Sequence, residues 1–145
     1  PHKEEIGDWY DYPRPIDLRY PDGEPINRSG IESSGQRVWL RADGTLPDDP
    51  VLNACIVTYA SDMTLLDTAL LPHALGPIDN VFMASLDHAM WFHRPAKVDE
   101  WLLYVQNSPS AQGGRGLALG HLYTREGQLV ATVAQEGMVR VPELA

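Results

Sequence analysis

The chain contains one cysteine, Cys55, among its 145 residues. A single cysteine cannot close a disulfide within the chain, so no internal disulfide framework stabilises this fold. Cys55 lies in a strongly apolar stretch, and we expect it to be a small core residue rather than a nucleophile. The length and the hydrophobic fraction of 43% are sufficient for one domain with an ordinary core.

Basic residues and long apolar runs are also scarce. The chain has 11 Lys and Arg against 20 Asp and Glu, which gives a formal net charge of −9. This charge argues against binding to nucleic acids or to an anionic membrane surface. The sequence shows no signal peptide and no apolar run close to the roughly 20 residues of a membrane span. The C-terminal residues Pro-Glu-Leu-Ala are not a peroxisomal address, so we expect a cytoplasmic protein.

Two regions can be distinguished along the chain. Residues 1–15 are polar, with several acids and prolines, and are expected to form a linker or N-terminal extension. Residues 16–145 are expected to form a single domain, which opens with strands at about Ile16–Tyr20 and Arg37–Arg41. Between these strands, residues 21–35 are rich in Gly, Ser, Pro and Asn, which is typical of a loop.

A long buried helix is expected in the middle of the domain, from about Val51 to about Leu71. Asp49 suits the N-cap position, and Pro50 suits the first helical position. Apolar residues fill nearly the whole circumference of this segment, which predicts a helix that is buried nearly all round. Asp62 lies in its middle, and an ionised carboxylate in such a place needs hydrogen-bond donors.

Four antiparallel strands are expected after the helix, and together with it they indicate an α+β protein. They are predicted at about Val81–His93, Glu100–Asn107, Gly116–Thr124 and Gln128–Val141, with a tight hairpin at Arg125–Gly127.

The last predicted strand carries a misplaced polar residue. Alternation places six of its residues on one face, namely Leu129, Ala131, Val133, Gln135, Val139 and Val141. Gln135 is the polar exception on that face, and a buried amide without a partner costs roughly 1–3 kcal/mol. Because Asp62 needs donors, Ser85 on the first of the four strands and Gln135 on the last are its candidate partners.

Five segments of the sequence together resemble one enzyme family. They are Tyr59–Asp62, Ala84–Pro95, Glu100–Tyr104, Gly114–Gly116 and Val133–Gly137. In this order they resemble the C-terminal half of acyl-CoA thioesterase II, a family of double-hotdog proteins that hydrolyse fatty acyl-CoA. The resemblance extends from about Pro15 to Val141 and therefore covers most of the chain.

The resemblance implies a hotdog fold, in which an antiparallel sheet wraps around one long central helix. It also implies that Asp62, Ser85 and Gln135 hold the attacking water, with Asp62 as general base or as the group that orients the water. A backbone amide would polarise the thioester oxygen. Ser85 stands where the family usually has Thr, so the hydroxyl is kept while its rotamer is less restricted. The alternative interpretation is a structural polar triad that fixes the helix against the sheet.

A bound CoA would need local cations, since CoA is polyanionic and the chain is acidic. Arg94, Lys97 and Arg115 are the basic residues nearest the motifs, and their alternative interpretation is as solvated loop charges. His88 and His93 are interpreted as packing or hydrogen-bonding residues, and they lack the partners of a metal site. No cofactor and no metal is therefore predicted.

The family's chains are about twice as long as this one, and part of their acyl-CoA groove comes from the other half. We therefore expect either a homo-oligomer or pairing with an N-terminal hotdog half that is missing here, and the chain looks like a fragment or a processed half.

Two other functions remain open at this stage. One is a non-catalytic hotdog half that serves only for dimerisation or acyl-CoA binding. The other is an enoyl-CoA hydratase-type hotdog, although such enzymes use an Asp and a His close together on a loop–helix motif. The predicted helix from Val51 to Leu71 contains no His.

Overall fold

The structure, a computed structural model, describes residues 14–24, 28, 30–76 and 79–141. Most of the predicted linker, residues 1–15, lies outside the described residues, and the domain bounds remain a prediction. The described elements are β1 (Ile16–Arg19), β2 (Gly35–Ala42), α1 (Pro50–Asp62), 3₁₀ helices at Leu66–Ala69 and Leu71–His73, β3 (Phe82–Ser85), β4 (Ala89–Phe92), β5 (Leu102–Gln112), β6 (Arg115–Tyr123) and β7 (Leu129–Arg140).

All the described strands belong to one antiparallel sheet that curves around α1. Its order is β1-β2-β5-β6-β7-β3, and β4 pairs with β7 along the same edge as β3. The inner face of the sheet and one side of α1 share a single apolar core. Its buried members include Val38, Leu40, Val57, Ala60, Leu102, Tyr104, Leu122, Ala131 and Val133. The wrapped-helix arrangement expected from the resemblance is therefore present.

The helix begins as predicted but ends earlier. The Asp49 carboxylate accepts hydrogen bonds from the backbone amides of Val51 (2.9 Å) and Leu52 (3.2 Å), which is the expected N-cap. The α-helix ends at Asp62, and the predicted remainder to Leu71 consists of a turn and 3₁₀ helix. Asp62 therefore lies at the C-terminal end of the helix and not in its middle, as the sequence had indicated.

The prediction that the helix is buried nearly all round was also wrong. Only four of its residues are buried, namely Asn53, Val57, Ala60 and Ser61. Cys55, which we expected in the core, is exposed, as are Val51 and Tyr59. The sheet covers one side of α1 and leaves the opposite side uncovered, so apolar residues on that side face outward.

The apolar segment Pro50–His73 corrects one more expectation. Its 24 residues have a best-window mean hydropathy of 1.2, so by length and composition it could cross a membrane. In this fold it forms α1 and the following 3₁₀ helices, and 56% of its most apolar window is buried inside the domain. A core segment of a folded domain has these same properties, so the finding is weak support for a membrane span.

Glycines on the inner face of the sheet let the segment after α1 pack closely. Gly116 on β6 and Gly137 on β7 are register partners. A Cβ atom on Gly137 would collide with the Leu66 side chain, and one on Gly116 would collide with Ala69. The pair therefore forms a flat patch, and the 3₁₀ helix at Leu66–Ala69 packs against it.

The strand predicted at Val81–His93 is split into β3 and β4. Between them, the Asp87 carboxylate accepts a hydrogen bond from the backbone amide of Glu136 on β7, at 2.7 Å. The amides of Leu86 and Asp87 both donate to the Glu136 carbonyl. This local irregularity replaces the regular ladder and places His88 on the side of the sheet that carries α1.

The two hairpins of the last three strands differ in how well the sequence predicted them. The turn at Arg125–Gly127 is present, with the Gly127 amide donating to the Thr124 carbonyl at 3.0 Å. The strand predicted at Glu100–Asn107 extends to Gln112 instead. A two-residue turn at Gly113 and Gly114 follows, with φ of 60° and 73°, which suits glycine.

Candidate active site

Three elements bring Asp62, Ser85 and Gln135 together. Gln135 points inward from β7 and is fully buried, Ser85 ends β3, and Asp62 ends α1. The Gln135 side-chain nitrogen Nε2 lies 2.5 Å from Asp62 Oδ1 and 2.8 Å from Ser85 Oγ. The three side chains predicted from the sequence are therefore mutual neighbours. Their catalytic role remains a prediction.

The three side chains differ in exposure. Gln135 is buried, whereas 57% of the Asp62 side chain is exposed and Ser85 is also exposed. The expected buried carboxylate is thus a carboxylate at the surface, because α1 ends at this residue. A surface position leaves Asp62 and Ser85 accessible to water and substrate, and the buried amide anchors them from behind.

Of the two polar atoms of the Gln135 side-chain amide, the nitrogen forms hydrogen bonds in the described structure and the oxygen does not. Its two Nε2 hydrogens serve Asp62 and Ser85, which exhausts its donors. Its oxygen Oε1 is buried and has no hydrogen-bond partner among the described residues. An unpaired buried acceptor costs stability, so this arrangement is not the one that stability alone would favour.

A fourth side chain, His88, approaches the same carboxylate. Its ring nitrogen Nδ1 lies 3.7 Å from Asp62 Oδ1, and its Nε2 lies 2.9 Å from the hydroxyl of Ser61. Sequence reasoning had interpreted His88 as a packing or hydrogen-bonding residue and had not placed it beside Asp62. The break between β3 and β4 directs it toward the helix, and no periodic pattern in the sequence reveals that break.

A hydrogen bond from the sheet also holds the last turn of α1. The hydroxyl of Tyr104 on β5 donates to the Ser61 carbonyl at 3.2 Å. This carbonyl belongs to the last turn, where helix carbonyls lack helical partners. Burial, and secondarily the charge of Asp62, raises the pKa of the Tyr104 phenol, so this group remains a neutral donor.

Asp62 and Ser85 lie on the wall of an open depression of about 440 Å³. Its lining consists of Thr58, Tyr59, Asp62, Met63, Ser85, Leu86, Asp87 and His88. The wall is mostly apolar, apart from the polar groups already described. A thioester carbonyl placed here could reach both the carboxylate and the hydroxyl.

The structure does not gather the three predicted CoA-binding cations. Arg94 follows β4 and donates to the Leu129 carbonyl at 2.7 Å, whereas Arg115 opens β6 and lies 3.7 Å from Glu136. The residues that they contact, Leu129 and Glu136, lie near opposite ends of β7. At about 3.3 Å per residue this places the two arginines roughly 25 Å apart. Arg94 and Arg115 therefore lie too far apart to bind the same phosphate group of CoA. Lys97 is exposed and follows Arg94 by three positions.

Exposed apolar side chains follow the edge of the sheet next to this depression. We define the β3–β4 edge patch as Phe82, Leu86, Trp91 and Phe92, each more than half exposed. The exposed Val51, Cys55 and Tyr59 on the uncovered side of α1 add to the apolar surface of this region. In the described chain, β3 and β4 pair with β7 and with no strand on their other side.

Comparison with solved structures defines the class of this domain. A protein from Alicyclobacillus acidocaldarius, described as having a hot dog fold, superposes with a TM-score of 0.66 at 17% identity, over 88% of this chain and 46% of that one. This likeness shows the fold alone. The predicted α+β hotdog fold is confirmed.

Closer relatives identify the family. A model of the acyl-CoA thioesterase family matches residues 19–138, so the chain belongs to that family. The crystal structure of an acyl-CoA thioesterase II from Mycobacterium marinum is 44% identical, with a TM-score of 0.74, over 91% of this chain and 55% of that one. Acyl-coenzyme A thioesterase 8 of Rattus norvegicus is 42% identical over 127 residues, which are 87% of this chain and 39% of the rat protein. The chain thus spans about two fifths of the length of that curated relative.

Proposed function

We propose that this chain is one hotdog unit of an acyl-CoA thioesterase, which hydrolyses fatty acyl-CoA to a fatty acid and CoA. The observation that carries the proposal is the bridge from Gln135 to both Asp62 and Ser85 on the wall of an open depression. The M. marinum and rat relatives, whose names describe this activity, support it.

The contacts at Asp62 support different roles for its two oxygens. Oδ1 accepts the hydrogen bond from Gln135 and faces His88. Oδ2 is engaged by none of these contacts and is the oxygen that would accept a hydrogen bond from the attacking water. The Ser85 hydroxyl already accepts from Gln135, so its own hydrogen can bond the water oxygen or the substrate.

The reaction then proceeds without a covalent enzyme intermediate. The water oxygen bonds to the thioester carbon while Asp62 takes one water proton. A backbone amide stabilises the oxyanion that develops on the carbonyl oxygen. Collapse breaks the carbon–sulfur bond, and the proton held by Asp62 passes to the leaving sulfur of CoA, which regenerates the carboxylate.

We also propose that the β3–β4 edge patch pairs with a second hotdog unit. An unpaired strand edge is an association site, and a large exposed apolar patch rarely persists in a monomer. The second unit is either another copy of this chain about a two-fold axis or a different hotdog half. The depression lies beside the patch, so the second unit would complete the acyl-CoA groove.

A second candidate function is the hydration of an enoyl-CoA. The observation that favours it is the approach of His88 to Asp62, because an Asp and a His close together are what that chemistry uses. Here the two residues come from a strand segment and a helix end rather than from one loop–helix motif.

Parallel assays of the complete natural polypeptide separate the candidates. Palmitoyl-CoA should release free CoA thiol, while crotonyl-CoA should remain unhydrated. Hydration of crotonyl-CoA without thiol release would favour the hydratase. Binding of CoA with no turnover at any chain length would show a non-catalytic binding unit.

A further inference from the structure

The hydroxyl of Ser61 has more neighbours than one hydrogen can serve. This fully buried oxygen lies 2.8 Å from the Thr58 carbonyl, 2.9 Å from His88 Nε2 and 3.3 Å from the sulfur of Met90. A hydroxyl has one hydrogen to donate and two lone pairs that accept. The carbonyl and the thioether can only accept, and the carbonyl is the closer and stronger acceptor. Ser61 therefore donates to Thr58, as serines in helices commonly do.

This assignment fixes the tautomer of His88. If Ser61 Oγ spends its hydrogen on Thr58, it must accept a hydrogen bond from His88, and Nε2 then carries the ring proton. In a neutral imidazole the other nitrogen, Nδ1, is then a bare acceptor. Nδ1 is buried, has no hydrogen-bond partner in the described part of the chain, and faces Asp62 Oδ1 at 3.7 Å.

We propose that neutral His88 sets the base strength of Asp62, as a positioning residue for the proposed hydrolysis. While Asp62 is ionised, its Oδ1 and Nδ1 of His88 are both hydrogen-bond acceptors, so no hydrogen bond forms between them. Once Oδ2 of Asp62 has taken the proton from water, rotation of the exposed carboxyl about its Cβ–Cγ bond can turn the O–H toward Nδ1, to which it then donates. The acid form of Asp62 thus gains a hydrogen bond that the ionised form lacks, which favours proton abstraction.

The proton balance of the reaction is unchanged by His88. The proton leaves water, resides on Asp62 with Nδ1 as its acceptor, and passes to the departing thiolate sulfur. A protonated His88 has the opposite effect, because an imidazolium beside Asp62 stabilises the carboxylate and weakens it as a base. The rate should therefore fall when the pH drops low enough to protonate His88.

Other titratable groups lie near His88 and Asp62, and a test must separate their effects from that of His88. Tyr59 on α1 and Asp87 in the β3–β4 connection line the same depression as His88. Asp87 is held by the backbone amide of Glu136, and the Glu136 carboxylate faces Arg115 on β6. Tyr104 on β5 reaches the Ser61 carbonyl from below. None of these groups makes a hydrogen bond to His88 Nδ1 in the described structure.

A first test needs no activity. In a ¹⁵N spectrum of the complete polypeptide at alkaline pH, His88 should show a neutral ring protonated at Nε2. In Ser61→Ala, which removes the acceptor of that proton, the ring should become a mixture of tautomers. A ring protonated at Nδ1, or a persistent imidazolium, would overturn the proposal even if the thioesterase activity is real.

The second test is the pH profile of kcat with palmitoyl-CoA. In the wild type, kcat should fall toward acid pH as the imidazolium form of His88 replaces the neutral ring. His88→Asn cannot protonate, so it should lose roughly tenfold in kcat at alkaline pH, keep its KM, and lack this fall on the acid side.

The matched control is His93→Asn, since His93 lies on the same segment but is exposed and bonded to Thr132 at 2.9 Å. Its profile should equal that of the wild type. A His88→Asn enzyme with lower kcat and an unchanged acid limb would overturn the proposal. If His88→Asn is too unstable to assay, the profile of Ser61→Ala decides, with a partial loss of kcat expected. An unchanged kcat in Ser61→Ala would count against the proposal.

Discussion

The side-chain amide of Gln135 on β7 donates to the carboxylate of Asp62 at the end of α1, 73 positions earlier in the chain. The same amide nitrogen donates to Ser85 on β3. One buried residue thus fixes two accessible polar groups relative to each other. A site of this kind is positioned by the sheet, and its geometry depends on how α1 ends above β7.

Ser85→Thr should retain at least half of the wild-type kcat. The substitution keeps the hydroxyl that accepts from Gln135, and its added methyl group meets an exposed position. Threonine also suits strand geometry. The comparison variant Ser85→Ala removes the hydroxyl and should lose roughly tenfold or more in kcat. Equal activities of the Thr and Ala variants would show that the hydroxyl has no part in the reaction.

Gln135→Met should separate activity from stability. Methionine fills a similar volume but cannot donate to Asp62 and Ser85, so we expect roughly a 100-fold loss of kcat. The free energy of unfolding should change by less than about 1.5 kcal/mol, because the lost hydrogen bonds are offset by removal of the unpaired buried Oε1. Thermal unfolding and thiol release measure the two effects. A stable variant with full activity would refute the role of the amide.

Gly137→Ala should destabilise the domain through a clash with Leu66. The added Cβ has no space beneath this side chain, and overpacking of this kind typically costs about 1–3 kcal/mol. Leu66→Ala alone should also destabilise, by loss of buried surface. The double variant should be more stable than the sum of the two effects predicts, because the smaller residue relieves the clash. Strict additivity in denaturant unfolding would show that the two residues do not touch.

The β3–β4 edge patch should mediate association in solution. Light scattering at micromolar concentration should give a mass of at least twice 16.1 kDa for this chain. Trp91→Glu places a charge in the patch and should shift the mass toward the monomer. Val105→Glu adds the same charge on β5, outside the patch, and should leave the mass unchanged. A stable 16.1 kDa monomer of the unaltered chain would mean that this chain caps its own edge.

The sequence predicted the parts of the site that depend on local periodicity. Alternation along β7 places Ala131, Val133 and Gln135 on the buried face, as the structure does. Towards the C-terminus the same pattern failed, because Val141 lies beyond the sheet and is exposed. A period-two pattern predicts which face of the strand a residue lies on. It does not predict how far along the strand that face is covered by the rest of the domain.

The end of α1 and the position of His88 could not be predicted in this way. Leucines and alanines after Asp62 are good helix formers, yet the chain leaves the α-helix so that Leu66 can pack on Gly137. The break between β3 and β4 turns His88 toward Asp62. It depends on a hydrogen bond from the backbone amide of Glu136 to the carboxylate of Asp87, two residues that are 49 positions apart in the sequence. Both features arise from contacts between distant segments.

The most direct test of the account is the turnover of Asp62→Asn with palmitoyl-CoA in the complete natural polypeptide. Asparagine keeps the shape but cannot accept a proton from water, so kcat should fall by at least about 100-fold. KM and the melting temperature should hardly change, since the side chain is largely exposed. Asp48→Asn, an exposed carboxylate before α1, is the matched control and should behave as the wild type. Wild-type turnover in Asp62→Asn would contradict the account, because another group would then activate the water.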